Sequence, residues 1–266
     1  MLDLPRSVRL AAWGSAVLAG RADLTTALAA VQGHDQPHTV AWPADVDGLP
    51  ALPRLRPDDL TVLLAALAES APGQVLLALP VPGDPSGLPG PAAVNIAALQ
   101  AEECVVVELA ATPARWALIP EVRSFGSELE PGVDVTWTAA VAAPRRAPES
   151  SSLAESEREL RTALATAARV LADLDVARWR EDAARRIEEV RAGALAPDTL
   201  PPSTPPRAAR VLASAAQVLA IVELAVEDDG AALTGHEAGA RTRALREVGT
   251  VARRALVTAV NVPGPA

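Results

Sequence analysis

The residues best placed for chemistry fall in one stretch, residues 82–95, PGDPSGLPGPAAVN. Seven of its first ten positions are Pro or Gly, which holds the backbone to one path, and Pro91 suits the first position of a following helix. A loop that enters a helix N-terminus offers free N–H groups and the positive end of the helix dipole, an arrangement that favours a small anion. Asp84 opposes an anion unless a cation offsets it, and Arg123 is the candidate for that role. The stretch lacks the lysine of a phosphate loop and the GxGxxG of a dinucleotide site. Two readings follow. The loop is a structural connector, which we rank first, or it lines a ligand site made of Asp84, Ser86, Gly87, Gly90, Asn95 and Arg123.

Other reactive side chains have plain readings. His34, Asp35 and His38 place three metal-capable groups in five residues, but Gly33 and Pro37 prevent the regular helix that an i, i+4 histidine pair needs, so a polar turn is expected. Cys104, the single cysteine, sits in the apolar run CVVVEL and reads as an inert core thiol. His236 lies at a helix start, in a capping or solvent role. The chain has no Lys and no Tyr, which removes Schiff-base chemistry and tyrosine acid–base roles. No nucleophile–base pair, metal set or cofactor motif stands out, so the sequence assigns no catalytic residue, no metal and no cofactor.

Around the loop the sequence predicts a buried strand, QVLLALP at 74–80, a helix, AAVNIAALQAEE at 92–103, and a second buried strand, CVVVEL at 104–109. This is the outline of a βαβ unit. Upstream, two short helices over 5–19 and 24–32 precede a strand, HTVAW at 38–42. A helix opening at Pro57, with Asp58 and Asp59 in its first turn, runs to Glu69 and places Leu60, Leu63, Leu64 and Leu67 on one face. Right-handed crossovers would make the three strands parallel. RWALI at 115–119 and VDVTWTAAV at 133–141 read as an antiparallel extension. A thirteen-residue loop, 120–132, separates them and carries Phe125 as a plug. The expected first domain, residues 1–142, is therefore α/β: a mixed, mainly parallel sheet of three to five strands with helices.

After a linker at 142–150 the pattern is wholly helical. Ser152 and Glu155 form a capping box for a helix striped by Leu160, Leu164, Ala167, Leu171 and Leu174. Trp179, Ala183, Ile187 and Val190 line a second helix. Val211, Ala215, Val218, Val222 and Ala225 line a third. Leu245, Val248, Ala252, Ala255 and Ala259 line a fourth, capped by Thr234 and Glu237. Residues 150–262 thus read as an all-α four-helix bundle, whose alanine-rich stripes bury so little area per helix that self-association is expected.

The charge is uneven. Residues 1–142 hold 7 Arg against 16 acids, whereas 143–266 hold 17 of each. An acidic half and a balanced half leave no basic stripe for nucleic acid. We counted no run near the roughly 18 apolar residues of a membrane span. The apolar run at 10–19 follows Asp3 and Pro5, which spoil a signal peptide, so a cytoplasmic, soluble protein is the expectation.

PGDPSGLPGP, together with PRSVRLAAWGSAVLAG near the start and IPEVRSFGSELEPG, resembles a family of conserved hypothetical proteins from high-GC Gram-positive bacteria over roughly the first 140 residues. The resemblance implies kinship without an activity. The function expected is a non-enzymatic interaction or scaffold protein that binds a protein partner or a second copy of itself. The alternative is an α/β enzyme or anion-binding protein using the 82–91 loop.

Overall fold

The computed structural model describes residues 2, 4–43, 59–70, 72–110, 115–127, 129–143, 152–173, 189–190, 192–227 and 235–262. The chain divides into two compact units. One is built on residues 5–149 with the short piece 198–204, the other on 150–197 and 205–262 with the first four residues.

The first unit is a mixed five-stranded sheet with helices. In chain order it runs α1 (Arg6–Leu18), α2 (Leu24–Gln32), β1 (Thr39–Ala41), α3 (Leu60–Glu69), β2 (Gly73–Ala78), α4 (Ala92–Ala101), β3 (Cys104–Leu109), β4 (Arg115–Gly126) and β5 (Pro131–Ala142). The strand order is β1-β5-β4-β3-β2. Only β1 and β5 are parallel; every other neighbouring pair is antiparallel. This corrects the mainly parallel sheet and the βαβ unit expected from the sequence. Ala78 at the end of β2 pairs with Cys104 at the start of β3, so the chain leaves and re-enters the sheet at the same end. A central antiparallel strand covered on both faces is as uniformly apolar as a parallel one, and CVVVEL is such a strand.

Helix starts explain themselves locally. The carboxylates of Asp23 and Asp59 accept the N–H groups of Thr26 and Thr61 at the starts of α2 and α3. Asp59 is thus the cap of α3 rather than part of its first turn, while Pro57 and Asp58 lie outside the described residues. The N-terminus of α1 is served from a distance, since Ser7 donates both its N–H and its hydroxyl to Glu103 Oε2, at 2.9 and 2.7 Å. α1 packs on β2, where Gly14 brings the helix backbone against Val75 and Leu67. α4 covers the opposite face: its Val94 and Ala98 pack with Ala78, Cys104, Val106, Ala117, Ile119 and Ala142.

β4 and β5 pair over their full twelve residues, from Arg115 with Ala142 to Gly126 with Pro131. Reciprocal bonds between the N–H and carbonyl groups of Ser127 and Glu130, at 3.3 and 3.1 Å, close the turn. The expected thirteen-residue loop is therefore mostly strand. β3 pairs with β4 only through Leu118, so from Ile119 outward no described strand lies on that edge of β4. Burial along β4 changes abruptly, with residues 116–120 buried and 121–126 exposed.

In the second unit, α5 (Leu153–Asp173), α6 (Pro206–Glu227) and α7 (Gly235–Asn261) pack on one another. Ser152 Oγ accepts the N–H of Glu155, the half of the capping box that the structure forms. Leu160, Ala167, Val211, Ala215, Val222, Leu245, Val248, Ala252, Ala255 and Ala259 are buried as their periodicity requires. Leu164 departs from its predicted stripe at 41% exposed. Leu171, Leu174, Trp179, Ala183, Ile187, Thr234 and Glu237 belong to readings that lie outside the described residues or side chains. Three helices of this unit are described, and the expected second helix falls largely outside the described residues. Arg241 on α7 is buried and donates to the carbonyl of Ala225 at 2.6 Å, placing a cation at the negative end of α6.

α6 bears on one further reading. Residues 206–226 are long and apolar enough to cross a membrane by length and composition, with a mean hydropathy of 1.7. The stretch holds no long consecutive apolar run, because Arg207, Arg210, Ser214, Gln217 and Glu223 interrupt it. With 44% of the window buried, the helix also fits the core of a soluble protein.

Candidate functional site

The 82–91 loop closes on itself. Val81 and Asp84 exchange N–H···O bonds at 2.9 and 3.3 Å around Pro82 and Gly83. Buried Asp84 accepts the Ser86 hydroxyl at 2.6 Å and the Ser86 N–H at 3.3 Å on the same oxygen, a turn of the kind Asp forms with its own backbone two residues on. Leu88 N–H donates to Pro85, and Gly90 N–H donates to Asn95 Oδ1 at 2.6 Å. The loop is then fastened to the sheet, since the N–H of Ala143, just past β5, donates to the carbonyls of Pro89 and Gly90 at 3.0 and 3.1 Å. Gly87 and Gly90 both have positive φ, and a Cβ on either would meet Ala78 or Ala143 at 3.2 or 3.0 Å.

Asp84, Ser86, Gly87, Gly90 and Asn95 therefore do come together, but Ser86, Leu88 and Gly90 give their N–H groups to acceptors within the segment itself. Arg123 is elsewhere. The loop meets the sheet at the Arg115 end of β4, and Arg123 lies eight residues further along, roughly 26 Å at strand rise. It is exposed and 3.4 Å from Glu121 on its own strand. The cation that does reach this end of the sheet is Arg115, which the sequence reading did not single out. It donates to the carbonyl of Ala143 and pairs with Glu108 at 2.7 Å.

The ribbon beyond Ile119 has the opposite character. Val122 is 43% exposed, Phe125 46% and Leu129 93%. Phe125 is not the plug expected from the sequence; its ring lies over Gly132 on the facing strand and remains half in solvent. Arg123 stands opposite Asp134 in the register, so the arm carries both signs of charge among its apolar side chains.

A third polar group joins the half-buried ion pair of Arg6 and Asp35 to two buried rings. Asp35 accepts from Arg6 Nε at 2.6 Å and from its terminal nitrogen at 2.9 Å. His38 Nε2 lies 3.3 Å from Asp35 Oδ2, and Trp137 Nε1 lies 3.3 Å from His38 Nδ1. Both rings are fully buried. Burial alone would raise the Asp35 carboxyl, but hydrogen bonding to and the charge of Arg6, and then His38, hold it below the usual range. Burial lowers His38 more than Asp35 raises it. His34, by contrast, is exposed, so the two histidines do not converge on one ligand. Among the described residues no three metal-capable side chains form a group. The signal for His38 was available in the sequence, because Trp137 falls on the inward side of an alternating strand and a buried indole N–H needs an acceptor.

Cys104 is fully buried, and burial pushes its thiol up to about 12. A thiol so held is protonated at neutral pH and is a poor nucleophile. The reading of His236 lies outside the described side chains.

Residues 7–151 match the Rv1486c-like protein N-terminal domain, and residues 154–257 match the Rv1486c-like protein C-terminal domain. No curated protein and no solved structure matches the chain. With both domains matched in order over most of its length, the chain belongs to the Rv1486c-like protein family.

Proposed function

We propose that this protein works by association, and that the contact element is the β4–β5 ribbon binding a second copy of the chain. One observation carries the reading: three large apolar side chains, Val122, Phe125 and Leu129, stand in solvent on a two-stranded arm. Exposed apolar surface of this kind marks contact sites more often than it serves a monomer. Glu121, Arg123 and Asp134 give the same arm both charges, as a surface that must complement itself across a two-fold axis requires. A cytoplasmic location accords with this reading and is part of the proposal.

An anion site in the 82–91 loop is the weaker proposal, because three of its backbone donors are occupied and Arg123 does not reach it. Sedimentation velocity separates the two. At about 100 μM, where micromolar self-association is near complete, the wild type is expected to sediment as an oligomer and Leu129→Ser combined with Phe125→Ser as a monomer. A monomeric wild type at that concentration overturns the proposal.

A further inference from the structure

We propose that the Arg6–Asp35–His38–Trp137 chain is an acid-sensitive latch, in which a proton on His38 Nδ1 expels the Trp137 indole and frees the edge strand β1 from β5.

The polarity of the chain fixes the state in which it is closed. An indole N–H only donates, so His38 Nδ1 must be a bare acceptor toward Trp137. The ring proton is then on Nε2, facing Asp35 Oδ2. Asp35 is an anion held by Arg6, and the closed group of Arg6, Asp35 and neutral His38 has no net charge. A second proton on His38 must go to Nδ1. Two N–H groups would then face each other across 3.3 Å in a site without solvent, and one must lose its partner, at a cost typical of an unsatisfied buried donor.

The surroundings oppose the added charge. From α1, Arg6 and Arg9 repel an imidazolium; from the turn before β1, Asp35 attracts it. β5 presents Trp137, which does not titrate, and α3 presents the N–H of Leu60, which donates to the His38 carbonyl at 3.1 Å. Burial outweighs the attraction of Asp35, so the folded protein holds His38 neutral below its ordinary pKa of about 6.5. Between the folded and unfolded pKa values the open form binds the extra proton. Stability of the closed form is therefore complete above about pH 6.5 and falls as pH falls below it. Asp35, held low, stays ionised through this range.

The part released is small. Among the described residues β1 has three residues that pair with residues 136–138 of β5 and one hydroxyl contact, Thr39 with Thr136 at 3.1 Å, and just before it the N–H of Gln36 donates to the carbonyl of Val133 at 2.8 Å. Val40 is the partner of Trp137, so losing the indole loosens the middle of this pairing. A short edge strand opens locally at less than the global cost, and its departure exposes the outer edge of β5.

The test is amide hydrogen exchange of the full chain at pH 7.5 and pH 5, corrected for intrinsic rates. Protection at residues 38–41 and 136–138 is expected to drop by about tenfold per pH unit between the two pKa values, while β2 and β3 hold theirs. In His38→Asn, whose amide oxygen can still accept from Trp137, the drop should vanish. Equal protection of these residues at both pH values in the wild type, or the same drop in His38→Asn, overturns the latch. Should the variant not fold, a second measurement on the wild type decides: the Trp137 indole proton resonance must leave its hydrogen-bonded position in step with the titration of the His38 ring. A His38 titration that leaves that resonance in place overturns the latch equally.

Discussion

The 82–91 loop and the outer part of the β4–β5 ribbon lie toward opposite ends of one strand pair, and residues 82–91 and 120–132 were both expected to be loops, yet they use their residues in opposite ways. The loop is dense in Pro and Gly, and its polar side chains point inward: Asp84 takes Ser86, Asn95 takes Gly90, and the backbone is tied to Ala143. The ribbon is built of strand-forming residues and leaves Val122, Phe125 and Leu129 outside. Punctuating residues mark where a backbone has been fixed, which is a different matter from where a partner binds. An element whose hydrogen-bonding needs are met within itself has little left to offer a ligand, whereas an arm that keeps apolar groups in water gains by covering them.

Substitutions can break this contrast. The largest effect is expected for Gly90→Val. Its φ of 62° is hostile to a β-branched residue, and its new Cβ would press on Ala143 at 3.0 Å. A loss of about 2–4 kcal/mol in denaturant unfolding is the expected outcome, and a change near zero would show that the loop is not fastened there. Asp84→Asn should cost about 1 kcal/mol, because a neutral amide accepts the Ser86 hydroxyl and N–H more weakly than a carboxylate. Calorimetric titration of this variant with phosphate or sulfate is expected to give no heat. Measurable binding would turn the loop back into a site and remove the contrast. The smallest effect on stability, within about 0.5 kcal/mol, belongs to Leu129→Ser, which is 93% exposed; its expected signature is weaker self-association alone.

The sequence was informative where a residue's role depends on its own neighbours. Helices α1, α2 and α4 and the strands β2 and β3 appear within a few residues of their expected bounds, because apolar periodicity and turn residues are local signals. Strand direction was not legible. A 25-residue excursion containing a helix can cross a sheet or return to its starting end, and only the pairing of Ala78 with Cys104 decides between them. The ribbon was hidden for a different reason. EVRSFGSELE has the composition of a loop, and the strand exists because PGVDVTW lies opposite to receive it. Of the candidate site, the clustering of Asp84, Ser86 and Asn95 followed from their spacing. The exclusion of Arg123 depended on strand length. Glu103 serving α1 and His38 serving Trp137 join residues 96 and 99 positions apart, beyond the reach of any local pattern.

The short piece 198–204, which belongs with the α/β unit although residues 150–197 separate it from residue 149, has a consequence for synthesis. Trp13 is buried, and its indole nitrogen lies 3.2 and 3.3 Å from the carbonyl oxygens of Asp198 and Thr199. When residue 149 leaves the ribosome every strand of the sheet has been made, but the acceptors for that indole have not. At about 5–20 residues per second the nascent unit waits roughly 2.5–10 s for them, with Trp13 unfinished at its surface. A chain stalled before residue 198 should therefore present an opening in its first unit that the released protein no longer has, and a chaperone meeting the nascent chain would find its binding surface there.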